Sequence, residues 1–313
     1  MANDQSIINL NLKDLLASFQ SNDAFIDQSF YKYLRVAIPG SATEFQFNRT
    51  IALPTVSFVA KGASIPQSET EVTLIKNTFH RIAATPKIDV WDQASSFGVD
   101  QLSEQVEAVR RAIQRQLSFN IIEGLAPAFN GLKNQAFQTS IVNSATGALT
   151  LQDIYRAKNL MRGTGGPGRP GGPGVLCCDM VLHEKTQREL FGLLDQAGLS
   201  YEPVWDEDVG CEVMKFFGMR MFVNNSIPLN EGATLDRTSI YFLSFNSDTA
   251  VKLLYSKDPR HDCDIDGIHT YPLPVKEGTN ETFAYVGGFY NLFVPESQSA
   301  VRLFNIKPTF FAQ

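Results

Sequence analysis

The stretch IALPTVSFVAKGASIPQSETEVTLIKNTFHRIAATPKIDVWD (51–92) leads, a few residues on, into VDQLSEQVEAVRRAIQRQLSFNII (99–122). The first of these is extended and strand-prone. Pro54, Pro66 and Pro86 interrupt it, Thr and Ser are dense, and its apolar alternation is thin, resting on Val72, Leu74, Phe79 and Ile82. Alone it buries too little apolar surface to offset the entropy of ordering it. It needs neighbouring chains to lie on, which points to a subunit of an assembly. The second stretch is one long amphipathic helix. Leu102, Val106, Val109, Ile113, Leu117 and Ile121 form an apolar stripe, and Glu104, Glu107, Arg110, Arg111 and Arg115 occupy the other face. Asp100 suits its cap and Gly124 its stop.

Working outward, the first forty residues hold a short amphipathic helix with Leu12, Leu15, Leu16 and Phe19 on one face. Looser apolar residues (Phe25, Phe30, Tyr31, Leu34) then run to Pro39-Gly40, and the whole reads as an arm. Beyond the long helix a polar stretch (130–147) precedes a second helix, whose capping box is Thr150 to Asp153, with Leu151, Ile154, Ala157 and Leu160 facing inward. The tract GTGGPGRPGGPG (163–174) has no apolar residue and reads as a solvated loop. A buried strand (175–182) and a helix (about 184–197) closed by Gly198 follow. From Phe216 onward the pattern is β-rich, at 219–223, 239–245, 251–255, 282–293 and 300–306. Helices early and strands late, without βαβ alternation, predict an α+β fold.

Composition narrows the class. Of 313 residues, 43% are hydrophobic and 23 are Phe, enough for a sizeable core. Charged residues are only 19%, below the ~25% usual for soluble domains, as extensive subunit contact would leave. The net charge is −6, the pI is near 5.3, and no Lys/Arg cluster forms a phosphate-binding stripe. The sequence has no apolar run of about 18 residues. The opening MANDQSIINLNLKDLL has neither the basic nor the apolar region of a signal peptide. Cys177, Cys178, Cys211 and Cys263 lack metal or disulfide spacing and read as buried structural thiols.

Three motifs nearly carry chemistry. Gly163, Gly165 and Gly168 spell G-x-G-x-x-G, but a helix precedes, a strand follows, and Pro167, Pro170 and Pro173 break the loop, the reverse of a phosphate cradle. His183-Glu184 opens H-E-x-x-H, yet Gln187 stands at the second ligand position, so a helix N-terminus is the simpler reading. Asp262, Asp264, Asp266 and Gly267 match half of an EF-hand loop, but Leu273 replaces the bidentate Glu, which leaves a polar turn. His80, His183, His261 and His269 have no evident Ser or Cys partner, and Asp206, Glu207 and Asp208 read as an exposed acidic turn. No catalytic, cofactor or metal residue is expected.

The order of parts resembles the HK97-fold major capsid proteins of tailed double-stranded DNA bacteriophages. Phe58-Val-Ala-Lys-Gly-Ala-Ser-Ile-Pro-Gln-Ser-Glu69 is similar to the tip of that family's extended loop, and Thr85-Pro-Lys-Ile-Asp-Val90 to the strand returning from it. Phe216-Phe-Gly-Met-Arg-Met-Phe-Val223, with Ile227-Pro228, resembles a further family stretch, and residues 246–255 and the strands after Thr282 fit its close. The resemblance implies an HK97-like capsid fold with an N-terminal arm (1–45), an extended β loop (46–85), a peripheral domain (86–148 and 250–290) with the spine helix, and an axial domain (149–249 and 291–313).

It further implies a non-enzymatic subunit that forms hexamers and pentamers of an icosahedral head. The head would enclose double-stranded DNA without sequence-specific contact, with no membrane involved. Assembly would occur in the host cytoplasm and the subunit would end in the virion capsid, with scaffold, cement or portal proteins as further partners. The arm opens within about ten residues of Met1, so any scaffold is expected to be a separate protein. Some family members cross-link through a loop lysine; Ile65 falls at that place, with Lys61 nearby, so non-covalent contacts are expected. An encapsulin-type nanocompartment shell of the same fold is the alternative, and an α+β enzyme, which leaves residues 1–92 without a purpose, is a third.

Overall fold

The computed structural model describes residues 34–39, 44–52, 59, 61, 63–64, 71–89, 101–125, 131–135, 141–144, 146–161, 178–207, 211–231, 236–245, 251–257, 267–273, 281–294 and 299–308. The expected helix at 12–19, the Gly/Pro tract at 163–174 and the acidic run at 262–266 lie outside them.

Along the chain come β1 (Arg35–Pro39), β2 (Glu44–Ala52), β3 (Glu71–Thr78), β4 (His80–Ala84), β5 (Lys87–Asp89), α1 (Gln101–Glu123), α2 (Leu132–Gln135), β6 (Ile141–Asn143) and α3 (Leu151–Met161). Then follow β7 (Asp179–Leu182), α4 (Glu184–Gln196), β8 (Glu202–Asp206), β9 (Cys211–Phe216), β10 (Met219–Val223), β11 (Thr238–Leu243), β12 (Lys252–Lys257), β13 (His269–Leu273), β14 (Glu281–Phe293) and β15 (Ala300–Ile306). The expected α+β class and the long helix are present. The β8–β9 hairpin is additional, because its short strands carry Glu202, Pro203 and Glu212 and show no clean apolar alternation.

Two sheets organise these elements. A seven-stranded sheet has the order β6-β15-β11-β7-β10-β9-β8. A six-stranded sheet centres on the long β14, with β13 and β12 hydrogen-bonded along one side, β5 and β4 along the other, and β1 parallel to β12. At Gly287 a side chain has no room, since a Cβ would come within 2.4 Å of the Ala83 Cβ on β4.

Period-two alternation on β11 sends Ile240 and Phe242 to one core and Tyr241 and Leu243 to the other, so both sheet faces are covered. On one side α3 and α4 bring Ile154, Ala157, Leu190 and Leu194 against Met180, Met221, Phe242 and Leu303. On the other, α1 brings Ile113, Leu117, Ile121 and Ile122 against Val286, Tyr290 and Leu292 of the six-stranded sheet and Val181, Phe222 and Tyr241 of the seven-stranded one. Each such side chain contributes about 1.5–3 kcal/mol on burial. The stripe read from the sequence is therefore the seam between the sheets.

Local signals set the helix ends. Thr150 Oγ1 accepts from the Asp153 N–H (3.2 Å) and donates to the Asp153 carboxylate (2.7 Å), the expected capping pair. After α4 the Leu199 N–H reaches Leu194 O (2.9 Å) and the Gly198 N–H reaches Asp195 O (3.1 Å), a Schellman closure with Gly198 at φ +66°.

Candidate assembly surface

β2 and β3 pair only with each other among the described strands, in register from Glu44↔Thr78 to Ala52↔Glu71 with an irregularity between Thr50 and Ala52. The extended segment thus makes a two-stranded ribbon. It ends at Thr78, earlier than the expected 46–85 loop, because β4 turns away to pair with β14 (His80↔Tyr290 to Ala84↔Val286).

The ribbon is pinned at its base. Phe45 meets Phe293 edge to face at 6.3 Å beside buried Phe79 and Leu254, and Asn291 Nδ2 donates to Thr78 O at 2.7 Å. Further out, Leu74 is 54% exposed. An isolated two-stranded ribbon is marginal in water, so the base holds it and nothing described on this chain covers its outer part. Burial lowers the pKa of His80, just past the base, below its ordinary 6.5.

Near the ribbon, the face of the six-stranded sheet that carries Arg81, Tyr285 and Phe289 is aromatic and cationic. Arg81 lies over the Tyr285 ring at 5.0 Å, Tyr271 stacks on Tyr285 at 4.7 Å, and Phe289 is exposed. Burial raises the Tyr285 phenol above its usual value, partly opposed by Arg81.

Ion clusters whose carboxylates are largely buried tie together the frame that carries these surfaces. Arg220 on β10 donates to Asp179 of β7 (Nη2–Oδ2 2.7 Å) and to Asp206 of β8 (Nη1–Oδ2 2.7 Å). Asp206 is therefore a buried strand residue, which corrects its reading as part of an exposed turn; Glu207 is exposed as expected and Asp208 lies outside the described residues. Buried Glu231 accepts from Ser239 and from Arg302 Nη2 (2.9 Å), while Lys133 Nζ lies 2.7 Å from Glu123 Oε2 and 3.5 Å from Glu231 Oε1. This second cluster ties the end of α1 and α2 to β11 and β15. Burial drives the adjoining Tyr241 phenol far above its usual value, with Arg302 opposing and Glu231 and Glu123 adding to the rise. Both clusters escaped the sequence reading. Their one available signal was a lone Asp or Arg inside an otherwise apolar strand, as in Asp179 and Arg220.

The near-motifs resolve into structural roles where they are described. His183 caps α4, its Nδ1 accepting from the Lys185 N–H at 3.0 Å, and Glu184 pairs with Arg188. Gln187 donates its N–H to His183 O at 3.0 Å within the first turn. His269 is buried on β13 with Nε2 3.3 Å from Ser256 O, Cys178 is buried, and Lys61 is exposed. Ile65, His261, Cys177 and Cys263 lie outside the described residues, as does the side chain of Cys211. Among the described residues no group of three or more His, Cys, Asp or Glu is placed to hold a metal, and no helix is long and apolar enough to cross a membrane.

No family model matches the sequence, and no curated protein does. Solved structures match over nearly the whole chain. The holo-SrpI encapsulin complex from Synechococcus elongatus PCC 7942 superposes with a TM-score of 0.69 at 14% identity, covering 90% of this chain and 88% of that one. The chain has an HK97-like capsid fold. The capsid of an empty GTA particle, computed with C5 symmetry, gives a TM-score of 0.64 at 13% identity over 89% and 90% of the two chains. Microbacterium phage Oxtober96 gives 0.59 at 16% identity over 90% and 91%.

Proposed function

We propose that this chain is the structural major capsid subunit of a tailed phage. On this reading it assembles into hexamers and pentamers of an icosahedral head around double-stranded DNA, and it is not an enzyme. The observation that carries the reading is the β2–β3 ribbon, anchored at its base and uncovered beyond it, on an HK97-like frame. Such a ribbon gains stability by lying on another subunit, and repetition around closed rings multiplies modest contacts. The division into a peripheral domain (86–148, 250–290) and an axial domain (149–249, 291–313) is supported by strand membership. β5, β12, β13 and most of β14 belong to one sheet and β7 to β11 with β15 to the other, while β4 (80–84) and β6 (141–143) cross these bounds. An acidic chain suits a DNA container, since a strongly basic wall would hold DNA by counterion release.

An encapsulin-type shell is the second reading, favoured by the TM-score of 0.69 with the encapsulin. Negative-stain microscopy of the chain expressed in a bacterium, alone and with a candidate scaffold, tests both. Rings, tubes or shells support the assembly reading, and packaged DNA against protein cargo separates the two. A monomer under every condition refutes both.

A further inference from the structure

We infer that helix α4 is a moving part, rocking about His183 on a bed of methionine side chains laid across the seven-stranded sheet. Of the six methionines in the chain, all but Met1 belong to the core between that sheet and helices α3 and α4. Met221 on β10 stands in register between Met180 on β7 and Met214 on β9, so the three make a row across neighbouring strands. Met219 lies two residues along the same face. Over this row α4 packs on β10, with Leu190 and Leu194 in the same core. Methionine is unbranched and turns about several side-chain bonds, so such a bed refits around a helix that shifts.

The core on the other side of the sheet is made differently. Among the described residues it holds no methionine, and half of its buried members are Ile or Val, such as Ile113, Ile121 and Val286, which are stiff at χ1. Polar contacts fix α1 there as well, with Asn224 Nδ2 donating to Ser118 Oγ at 3.1 Å and Lys133 joining Glu123 to Glu231. On α4 the Thr186 hydroxyl is fully buried with no hydrogen-bond partner among the described residues. An unmet buried hydroxyl costs stability, so this polar group does not single out the seat that α4 occupies.

The helix is built to move as one rod. Its first turn is closed by His183 Nδ1, which accepts the Lys185 N–H at 3.0 Å, and its last by the turn at Gly198. His183 is the single residue between β7 and α4, so the near end of the helix is held to the sheet. The far end, where Phe191 stacks on Tyr201 at 4.4 Å, has the longer travel. Packed helices shift by small displacements of this kind. The use of the joint rests on the capsid reading above, under which one chain fits both hexamers and pentamers; the motion itself does not.

Methionine carries its own reporter, the ε-methyl group. In free subunits labelled there with carbon-13, relaxation dispersion should show microsecond-to-millisecond exchange at Met180, Met214 and Met221, each assigned by its own Leu variant. Amides of α4 should exchange hydrogen about tenfold faster than those in the buried turns of α1. Combining Met180→Leu, Met214→Leu and Met221→Leu, at nearly constant volume, should slow α4 exchange about tenfold and leave α1 unchanged. Circular dichroism confirms that the variant folds. Flat dispersion at all three methyls in the unaltered chain overturns the inference, as does an α4 already as protected as α1. A folded triple variant whose α4 exchanges no more slowly than the parent's also overturns it. The triple variant should further lower shell yield about tenfold, and parental yield overturns the joint's role in assembly. Subunits that show the motion but never assemble support this inference and refute the capsid reading alone.

Discussion

β11 and the β2–β3 ribbon are both made of good strand formers, yet they are stabilised in opposite ways. All six residues of β11 are buried, its two faces feeding two cores and its two edges paired with β15 and β7. The ribbon has partnered backbone but, past the Phe45–Phe293 base, an outer residue such as Leu74 in the open. Strand propensity explains why each is extended. Burial decides which one is stable alone, and on the proposed reading the deficit in the ribbon is made up by another subunit.

The contrast can be broken most severely by removing the ribbon. Phe47 and Ile75 face each other in register, so an Asn-Gly turn can replace residues 48–74. Microscopy should then show no shells, while calorimetry finds a subunit melting within about 5 °C of the parent; shells of normal yield would refute the ribbon's role. In the core the reverse holds. Ile121→Ala, at a fully buried site on α1, should cost about 2–5 kcal/mol in urea unfolding.

A smaller loss tests the frame. Arg220→Met strands the carboxylates of Asp179 and Asp206 and should cost about 3 kcal/mol, the low end for such pairs because Arg220 is partly exposed. Leu74→Ser should leave subunit stability within about 0.5 kcal/mol but reduce shell yield in sedimentation. The smallest effect is at His80. Its folded pKa lies below 6.5, so the unfolded chain takes up the proton first. Stability should dip slightly as pH falls below 6.5, and His80→Gln should remove that part of the slope in the urea midpoint.

Much of this architecture was legible in the sequence because local rules and the fold agree there. The stripe Ile113, Leu117, Ile121, the Thr150–Asp153 cap and the Gly198 stop each act within a few residues. The near-motif at His183 was legible for the same reason, since a missing ligand at Gln187 is visible without a structure. What was not legible depends on distant partners. Asp206 reads as an exposed turn until Arg220 is brought to it across β9, and the Glu231–Arg302–Lys133 cluster joins segments far apart in the chain. The ribbon's limit at Thr78 depends on β14 capturing β4, which nothing near residue 80 announces.

The most direct test of the contrast between ribbon and sheet is hydrogen exchange, read separately on free subunits and on assembled shells. In subunits the amides of β11 and β15 should be strongly protected while those of β2 and β3 exchange fast. Assembly should slow the ribbon amides by about tenfold or more and leave the sheet unchanged. A ribbon already as protected as β11 in the free subunit, or one that assembly does not slow, would contradict the claim that another subunit completes it.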